Sequence, residues 1–165
     1  MIDPLSAAKL TAVHPLLAQK VLQVLTQLEL LGINCRVTQG LRTIAEQNAL
    51  YAQGRTTPGR VVTNCQGGFS YHNYGLAVDC VPAIAGIDVT YSPDWNPSHP
   101  DWQKMEAAAA ANGLDCGANW RSFPDYPHMQ LTGPYPEGEP DSKLREVFHN
   151  GGMSAVWDAV TAFYQ

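Results

Sequence analysis

Two short segments, well separated along the chain, together carry two histidines and two aspartates. His72 and Asp79 lie in the first segment, and Asp125 and His128 lie in the second. Two imidazoles and one carboxylate are the ligand set of a catalytic zinc, which keeps one coordination position open, whereas a structural zinc is closed by four protein ligands. A fold that uses this set must bring both segments to one place, and this requirement constrains the chain more than any other feature.

Each segment also has an ordinary structural interpretation. Asp79 could cap a loop or pair with an arginine, Asp125 could be a turn residue, and His128 could be a core histidine whose ring is hydrogen-bonded. A carboxylate between apolar strand residues is costly, however, unless it is paired or bound to a metal. Chance does not readily supply both segments in one chain, so the combined set favours a metal site.

The composition is that of one globular domain without a charged binding surface. At 165 residues the chain is long enough for one sizeable core. We expect a single domain over 1–165, with a core over about 10–132 and a helical tail over 133–165 packed on it. The net charge is −5 with no lysine or arginine cluster, which excludes nucleic acid as an expected partner. No apolar run approaches the roughly 20 residues of a membrane span, so we expect no membrane anchor. We also expect the protein to be a monomer.

The cysteines and the N-terminus indicate a reducing compartment. None of the four cysteines belongs to a C-x-x-C pair, which argues against a zinc ribbon or a thioredoxin-type site. The first residues lack the basic and apolar regions of a signal peptide. We therefore expect a protein made in the cytoplasm, with its thiols free.

Periodicity and capping signals predict a mixture of helices and short strands. Helices are predicted over 17–31, 43–53 and 98–112 and in two segments after Asp141, and strands over 33–37, 76–81 and 128–132. Residues 54–70 and 114–127 are predicted to be loops, and 82–100 a proline-rich insertion. This mixture is typical of an α+β fold.

Three further histidines lack a matching partner and are interpreted as non-ligands. His14 lies beside Pro15 at the start of a helix, His99 lies at a helix cap, and His149 lies near a helix C-terminus. Gln130, by contrast, is expected to share one strand face with His128, because residues two apart in a strand point the same way.

The ligand set predicts hydrolysis of an amide bond. A zinc ion would lower the pKa of a bound water and polarise a carbonyl group. A nearby carboxylate that does not bind the metal would take the proton from the water and pass it to the leaving amine. Asp125 is the candidate for this general base.

At these residues the chain resembles a known family. Ser70-x-His72-x-x-Gly75-x-Ala77-x-Asp79 and Asp125-x-Pro127-His128-x-Gln130 are similar to the motifs of VanY/VanX-like zinc peptidases, which cleave bacterial cell-wall peptides. The segment Gly40-Leu41-Arg42-Thr43-x-x-x-Gln47-x-x-Leu50-Tyr51 and the loop Gly117-Ala118-Asn119-Trp120 extend the match. The resemblance covers roughly residues 10–132. The family includes D-Ala-D-Ala carboxypeptidases and dipeptidases, and the L-alanyl-D-glutamate endopeptidases used as phage endolysins.

The resemblance implies a fold, a cofactor and a set of site residues. The implied fold is the hedgehog/D-Ala-D-Ala-peptidase-like α+β fold, a small antiparallel sheet flanked by helices, and the cofactor is Zn²⁺. The implied roles are zinc binding by His72, Asp79 and His128, general-base catalysis by Asp125, oxyanion stabilisation by Arg42, and substrate binding by Gln47, Ser70 and Trp120.

The departures from the family pattern favour one branch. Many carboxypeptidases of the family carry glutamate as the base, whereas Asp125 is more similar to the endolysin branch; Leu41 in place of tyrosine and Thr43 in place of serine are mild changes. We therefore expect an L-alanyl-D-glutamate endopeptidase of a phage lysis system, which acts on the peptidoglycan stem peptide after release from the host cytoplasm. A D-Ala-D-Ala carboxypeptidase or dipeptidase, and a non-catalytic zinc module that binds wall peptides, remain alternatives.

Overall fold

The chain is divided into two compact units in a computed structural model that describes residues 2–83, 98–135 and 140–165. The first unit is formed by Met1–Gly40 and Ala77–Leu131, and the second by Leu41–Leu76 and Thr132–Gln165. Neither unit is contiguous in sequence, because the chain enters each of them twice. A single domain over 1–165 with a packed tail stays a prediction.

The described residues contain both helices and strands, as predicted. In chain order they are α1 Pro4–Leu10, α2 Pro15–Leu30, β1 Asn34–Gln39, α3 Ile44–Ala52, β2 Ala77–Ala83, α4 Pro100–Ala111, β3 Asp115–Cys116, β4 His128–Gln130 and α5 Ser142–Tyr164. Short 3-10 helices at Tyr71–Tyr74 and Gly117–Asn119 complete the set.

The first unit is built on a four-stranded antiparallel sheet of order β1-β2-β4-β3. Helices α1, α2 and α4 contact this sheet or one another. One face of α2 is fully buried because its apolar residues recur at helical spacing, and α4 contributes a second apolar stripe; the residues are Leu17, Val21, Val24 and Leu28 of α2 and Trp102, Met105 and Ala109 of α4. The α+β class with a small antiparallel sheet flanked by helices is thus confirmed.

The second unit contains α3, the first 3-10 helix and α5. The predicted capping box is present: Thr43 Oγ1 accepts a hydrogen bond from the Glu46 N–H at 3.2 Å, and the Glu46 carboxylate accepts one from the Thr43 N–H at 2.7 Å. Gly152 has non-helical angles (φ 68°, ψ −162°), so α5 consists of two helical segments, as expected. Trp157 in α5 donates to the Tyr74 carbonyl at 2.8 Å, which fastens the 3-10 helix to α5.

The predicted secondary structure differs from the structure at several points, and most element ends shift by a few residues. The predicted loop 114–127 contains β3 and the second 3-10 helix. The sequence does not indicate β3 because a two-residue strand is too short to show alternation. Helix α1 is absent from the prediction, although Asp3 and Pro4 form an N-cap followed by a proline in the first turn. Strand β4 ends at Gln130 rather than at residue 132. Residues 84–97 of the predicted insertion lie outside the described residues.

The state of the cysteines agrees with the expected free thiols. All four lie in the described part of the chain, and none forms a disulfide. Burial raises the pKa of the Cys35 thiol to about 12, with a smaller contribution from the charge of Asp101. In the parts of the chain that the structure describes, no helix combines the length and the apolar character needed to cross a bilayer.

The N-cap of α1 also anchors the first strand. Asp3 Oδ1 accepts a hydrogen bond from the Leu5 N–H at 3.1 Å, and the Asp3 carboxylate accepts one from the Ser6 hydroxyl. The Nε atom of Arg36, in β1, lies 3.3 Å from Asp3 Oδ1. Ser6 Oγ in turn accepts from the Val37 N–H at 2.9 Å. Burial raises the pKa of Asp3, but the hydrogen bonds from Ser6 and the charge of Arg36 outweigh it and hold the pKa below its ordinary value of 3.8.

We predict that Asp3→Ala lowers the free energy of unfolding by about 1 kcal/mol, as the loss of a capping side chain does. In the folded protein the pKa of Asp3 lies below its ordinary value of 3.8. The stabilisation by Asp3 is therefore complete above 3.8, and it is lost as the pH falls through the lower pKa of the folded state. Urea denaturation at several pH values measures the difference. Asp3→Asn keeps the cap and should cost less; an Asp3→Ala variant as stable as the wild type at neutral pH would contradict the assignment.

Candidate metal centre

Asp79 of β2 and His128 of β4 lie opposite each other in the antiparallel register. The His128 Nδ1 atom is 3.5 Å from Asp79 Oδ1, and the side chains are 6% and 15% exposed. The neighbours of Asp79, Val78 and Cys80, are fully buried. Strand alternation turns Asp79 away from these two apolar side chains, as expected from the sequence.

His72 is presented by the 3-10 helix of the second unit. Ser70 caps this helix, and its hydroxyl accepts from the His72 N–H at 3.4 Å. Gly75 ends the helix in the left-handed region at φ 64°, a conformation that favours glycine. The His72 carbonyl accepts from the Arg42 N–H at 3.0 Å, so the backbones of these two predicted site residues are joined directly.

His72, Asp79 and His128 form a group that could hold a metal ion. Each offers one ligand atom, and these atoms all lie within 4.8 Å of one another. Two imidazole nitrogens and one carboxylate oxygen are donors that suit zinc and leave room for a water or a substrate oxygen. The donor set therefore fits the predicted cofactor.

Asp125 lies beside His128 in the first unit. Its Oδ2 atom is 4.0 Å from His128 Nδ1, and its side chain is 35% exposed. The Asp125 N–H donates to the Gly117 carbonyl at 3.0 Å. A carboxylate that is close to a ligand but still reached by solvent suits proton transfer to and from water.

The electrostatics of the site favour positive charge. Burial alone would lower the pKa of His128, but the hydrogen bond and the charge of Asp79 oppose it. The charge of Asp125 and the hydrogen bond to Gln130 act in the same direction as Asp79, so the pKa of His128 is raised. A position that stabilises a proton on the ring in this way will also attract a cation.

The far side of the His128 ring is held by polar and aromatic neighbours. His128 Nε2 lies 2.8 Å from Gln130 Oε1, and Gln130 Nε2 donates to Asp115 Oδ2 at 2.9 Å. The Trp120 ring lies 4.9 Å from the His128 ring, centroid to centroid. The expectation that Gln130 and His128 share one strand face is confirmed.

Arg42 is fixed by two buried amides within the second unit. Its Nη1 donates to Gln47 Oε1 at 2.8 Å, and its carbonyl accepts from Asn73 Nδ2 at 2.9 Å. Gln47 Nε2 donates to the Cys65 carbonyl at 2.8 Å, and Asn73 Oδ1 accepts from the Gly68 N–H at 2.9 Å. Both ends of each amide are therefore used.

Sequence reasoning missed Asn73, Asp115 and the importance of Gly117. Asn73 adjoins His72, so its position was a signal, but its partners come from residues 42, 43 and 68 and cannot be seen in a local pattern. Asp115 belongs to a strand that was predicted as a loop. His14 and His99 cap helices α2 and α4 through their Nδ1 atoms; their interpretation as non-ligands stays a prediction.

The fold and the site together place this protein in the class of metallopeptidases that have a His/Asp/His metal centre. A family model described as D-alanyl-D-alanine carboxypeptidase matches residues 63–131. The peptidoglycan L-alanyl-D-glutamate endopeptidase CwlK of Bacillus subtilis (strain 168) is 34% identical over 121 residues, which are 72% of this chain and 72% of that protein. The crystal structure of the Serratia marcescens L-Ala D-Glu endopeptidase ChiX matches with a TM-score of 0.51 and 28% identity, over 78% of this chain and 87% of that one.

The chain belongs to the D-alanyl-D-alanine carboxypeptidase family of zinc peptidases. The resemblance seen in the sequence is thus confirmed, as are the fold class, the enzyme class and the zinc cofactor. The chain is a hydrolase, and the group His72, Asp79 and His128 is its candidate zinc centre.

We predict that Gly117→Ala disturbs the position of Asp125. A Cβ atom at residue 117 would lie 2.6 Å from the Asp125 carbonyl oxygen and 3.0 Å from His128 Cβ, so the backbone must move. Activity of the zinc-loaded enzyme should fall about 100-fold, which a displacement near 1 Å can cause. Ala118→Ser, one residue further along the chain, is the control. Full activity of a folded Gly117→Ala enzyme would show that this close approach does not matter.

Proposed function

We propose that this protein is an endopeptidase that cleaves the L-alanyl-D-glutamate bond of the peptidoglycan stem peptide. Both named relatives act on that bond, which supports a peptidoglycan substrate and favours this position within it. The observation that carries the proposal is the Asp125 carboxylate, which lies 4.0 Å from His128 Nδ1 beside the His/Asp/His group. An aspartate in this place resembles the endopeptidase branch.

The roles of the site residues follow from their positions. We propose that His72, Asp79 and His128 hold zinc, which when bound supplies Lewis acidity toward water and the scissile carbonyl. Asp125 takes the proton from the attacking water and then delivers it to the leaving amine. Its partial exposure lets both water and substrate reach the carboxylate.

Arg42 is proposed to stabilise the negative charge that develops on the carbonyl oxygen. A guanidinium held in advance at such a position favours the transition state over the ground state. Gln47 is fully buried and bound to Arg42, so we propose that it serves the substrate through Arg42. Trp120 is partly exposed beside His128 and is proposed to contact the peptide. Ser70 is buried at the cap of the helix that carries His72, and we propose that it contributes to substrate binding from there.

The biological setting is a further part of the proposal. The aspartate base supports a lytic role in a phage system, with the enzyme acting as a monomer on the wall after release from the host cytoplasm. Expression in a host cell with and without a membrane-pore protein tests this setting: lysis that requires both proteins supports it, and lysis by the enzyme alone contradicts it.

D-Ala-D-Ala carboxypeptidase activity is the second candidate. It is favoured by the family model that matches residues 63–131, whose description is D-alanyl-D-alanine carboxypeptidase. The two activities give different products, because the carboxypeptidase releases free D-alanine and the endopeptidase does not. A non-catalytic wall-binding module is the third candidate and would give no product at all.

We predict that zinc-loaded wild type, mixed with purified sacculi, generates new L-alanine C-termini and D-glutamate N-termini. Asp125→Asn should lose at least about 100-fold in rate, because it cannot accept the proton, while keeping its zinc. Mass spectrometry of the digests measures the products, and Asp158→Asn at an exposed site of α5 is the matched control.

Each other outcome selects another function. Free D-alanine from a pentapeptide, without the new termini, would assign the carboxypeptidase. A zinc-loaded wild type that binds sacculi and releases nothing would leave the binding module. Full activity in Asp125→Asn would remove Asp125 from its proposed role.

We predict that Gln47→Leu lowers kcat by about 10- to 100-fold through misplacement of Arg42, with little change in zinc content. Leucine has a similar volume but cannot accept the hydrogen bond from Arg42 Nη1. Steady-state kinetics on a stem peptide, with Gln19→Leu at an exposed site of α2 as the control, separate kcat from KM. An unchanged kcat would show that Arg42 does not need this partner.

A further inference from the structure

Gln130, which is buried, and Asp115, which is exposed at the sheet edge, form a hydrogen-bonded relay behind the candidate zinc ligand His128. Gln130 is 1% exposed and lies on β4, two residues after His128 and on the same strand face. It stands opposite Asp115 of β3 in the antiparallel register. The distances are 2.8 Å from His128 Nε2 to Gln130 Oε1 and 2.9 Å from Gln130 Nε2 to Asp115 Oδ2.

When the His128 ring is neutral, as it must be to bind a metal, the chemistry of these three groups allows one arrangement of protons. An ionised carboxylate only accepts hydrogen bonds, so Asp115 requires the amide NH₂ of Gln130 to face it. The amide oxygen then faces the imidazole, and His128 must carry its proton on Nε2 to donate to that oxygen. The lone pair of the neutral ring is consequently on Nδ1, the atom that lies 3.5 Å from Asp79 Oδ1.

We propose that Gln130 and Asp115 are positioning residues that lock His128 in the tautomer able to bind zinc. The inference rests on the proposed assignment of His128 as a ligand. Without the relay, the neutral ring can place its proton on either nitrogen and can rotate about its side-chain bonds. A proton on Nδ1 would occupy the position that the metal needs, so part of the binding free energy would be spent on shifting the tautomer.

The register of the sheet explains why this relay is available. Because β4 is central between β2 and β3, the face that carries His128 toward Asp79 also carries Gln130 toward Asp115. The ligand contact and the relay contact are therefore made by two strands that pair with opposite edges of β4. The short strand β3 suffices for this purpose, because only one of its residues, Asp115, has to reach the side-chain amide of Gln130.

The test is the zinc affinity of the full chain, measured by competition with a chromogenic chelator in the absence of substrate. Gln130→Leu should weaken zinc binding by about 10- to 100-fold, the usual effect of losing a partner of a metal-bound histidine. Asp115→Ala should weaken it less, because the amide remains but is no longer oriented. Gln103→Leu at an exposed site of α4 is the matched control and should bind like the wild type.

A double variant distinguishes the relay from simple packing. Gln130→Glu with Asp115→Asn provides an acceptor for His128 Nε2–H and a donor for the second carboxylate oxygen, so it should restore most of the affinity lost in Gln130→Leu. Thermal melting of each zinc-free protein checks that the variants fold. A folded Gln130→Leu that binds zinc like the wild type, or a folded double variant no better than Gln130→Leu, would overturn the proposal.

These results are independent of the proposed substrate. Zinc affinity is measured without peptidoglycan, so failure of the relay leaves sacculus hydrolysis by the wild type unaffected. Conversely, a wild type that hydrolyses no wall peptide can still show the predicted order of zinc affinities.

Discussion

The antiparallel pairing of β2 with β4 is the constraint on which the site depends. This pairing places Asp79 directly opposite His128, and strand alternation turns both side chains to one face while Val78 and Cys80 enter the core. A shift of one residue in register would move Asp79 away from His128 and expose apolar residues instead. The buried face of the sheet therefore fixes the relative position of Asp79 and His128, and the same strand pairing supports the core of the first unit.

Glycine and proline control how the candidate base reaches this pair. Asp125 and His128 would face opposite sides of an ideal strand, but Pro124 and Pro127 prevent one from forming there. The chain instead approaches Gly117 so closely that a side chain at that position would collide with Asp125. The loop before β4 thus gains its shape from residues that have no chemical role, and this shape brings the carboxylate to 4.0 Å from the His128 ring.

The sequence predicted the parts of the fold and site that depend on local pattern. The capping box at Thr43, the apolar stripe of α2 and the alternation around Asp79 are all local, and the structure agrees with each of them. The grouping of His72, Asp79 and His128 came from the pairing of motifs within a family resemblance. The relay from His128 to Asp115 and the hold of Asn73 on Arg42 join residues distant in sequence, so only the tertiary structure contains them.

Three buried amides share a feature that explains why they occur around the site. Gln47, Asn73 and Gln130 each use both the oxygen and the nitrogen of the amide in hydrogen bonds. Such groups add little net stability compared with well-packed apolar residues, because their bonds to water are lost on burial. They do, however, allow one orientation only, since reversing an amide would leave a donor facing a donor. Their value is therefore preorganisation: Arg42 and His128 are held in place before any ligand arrives.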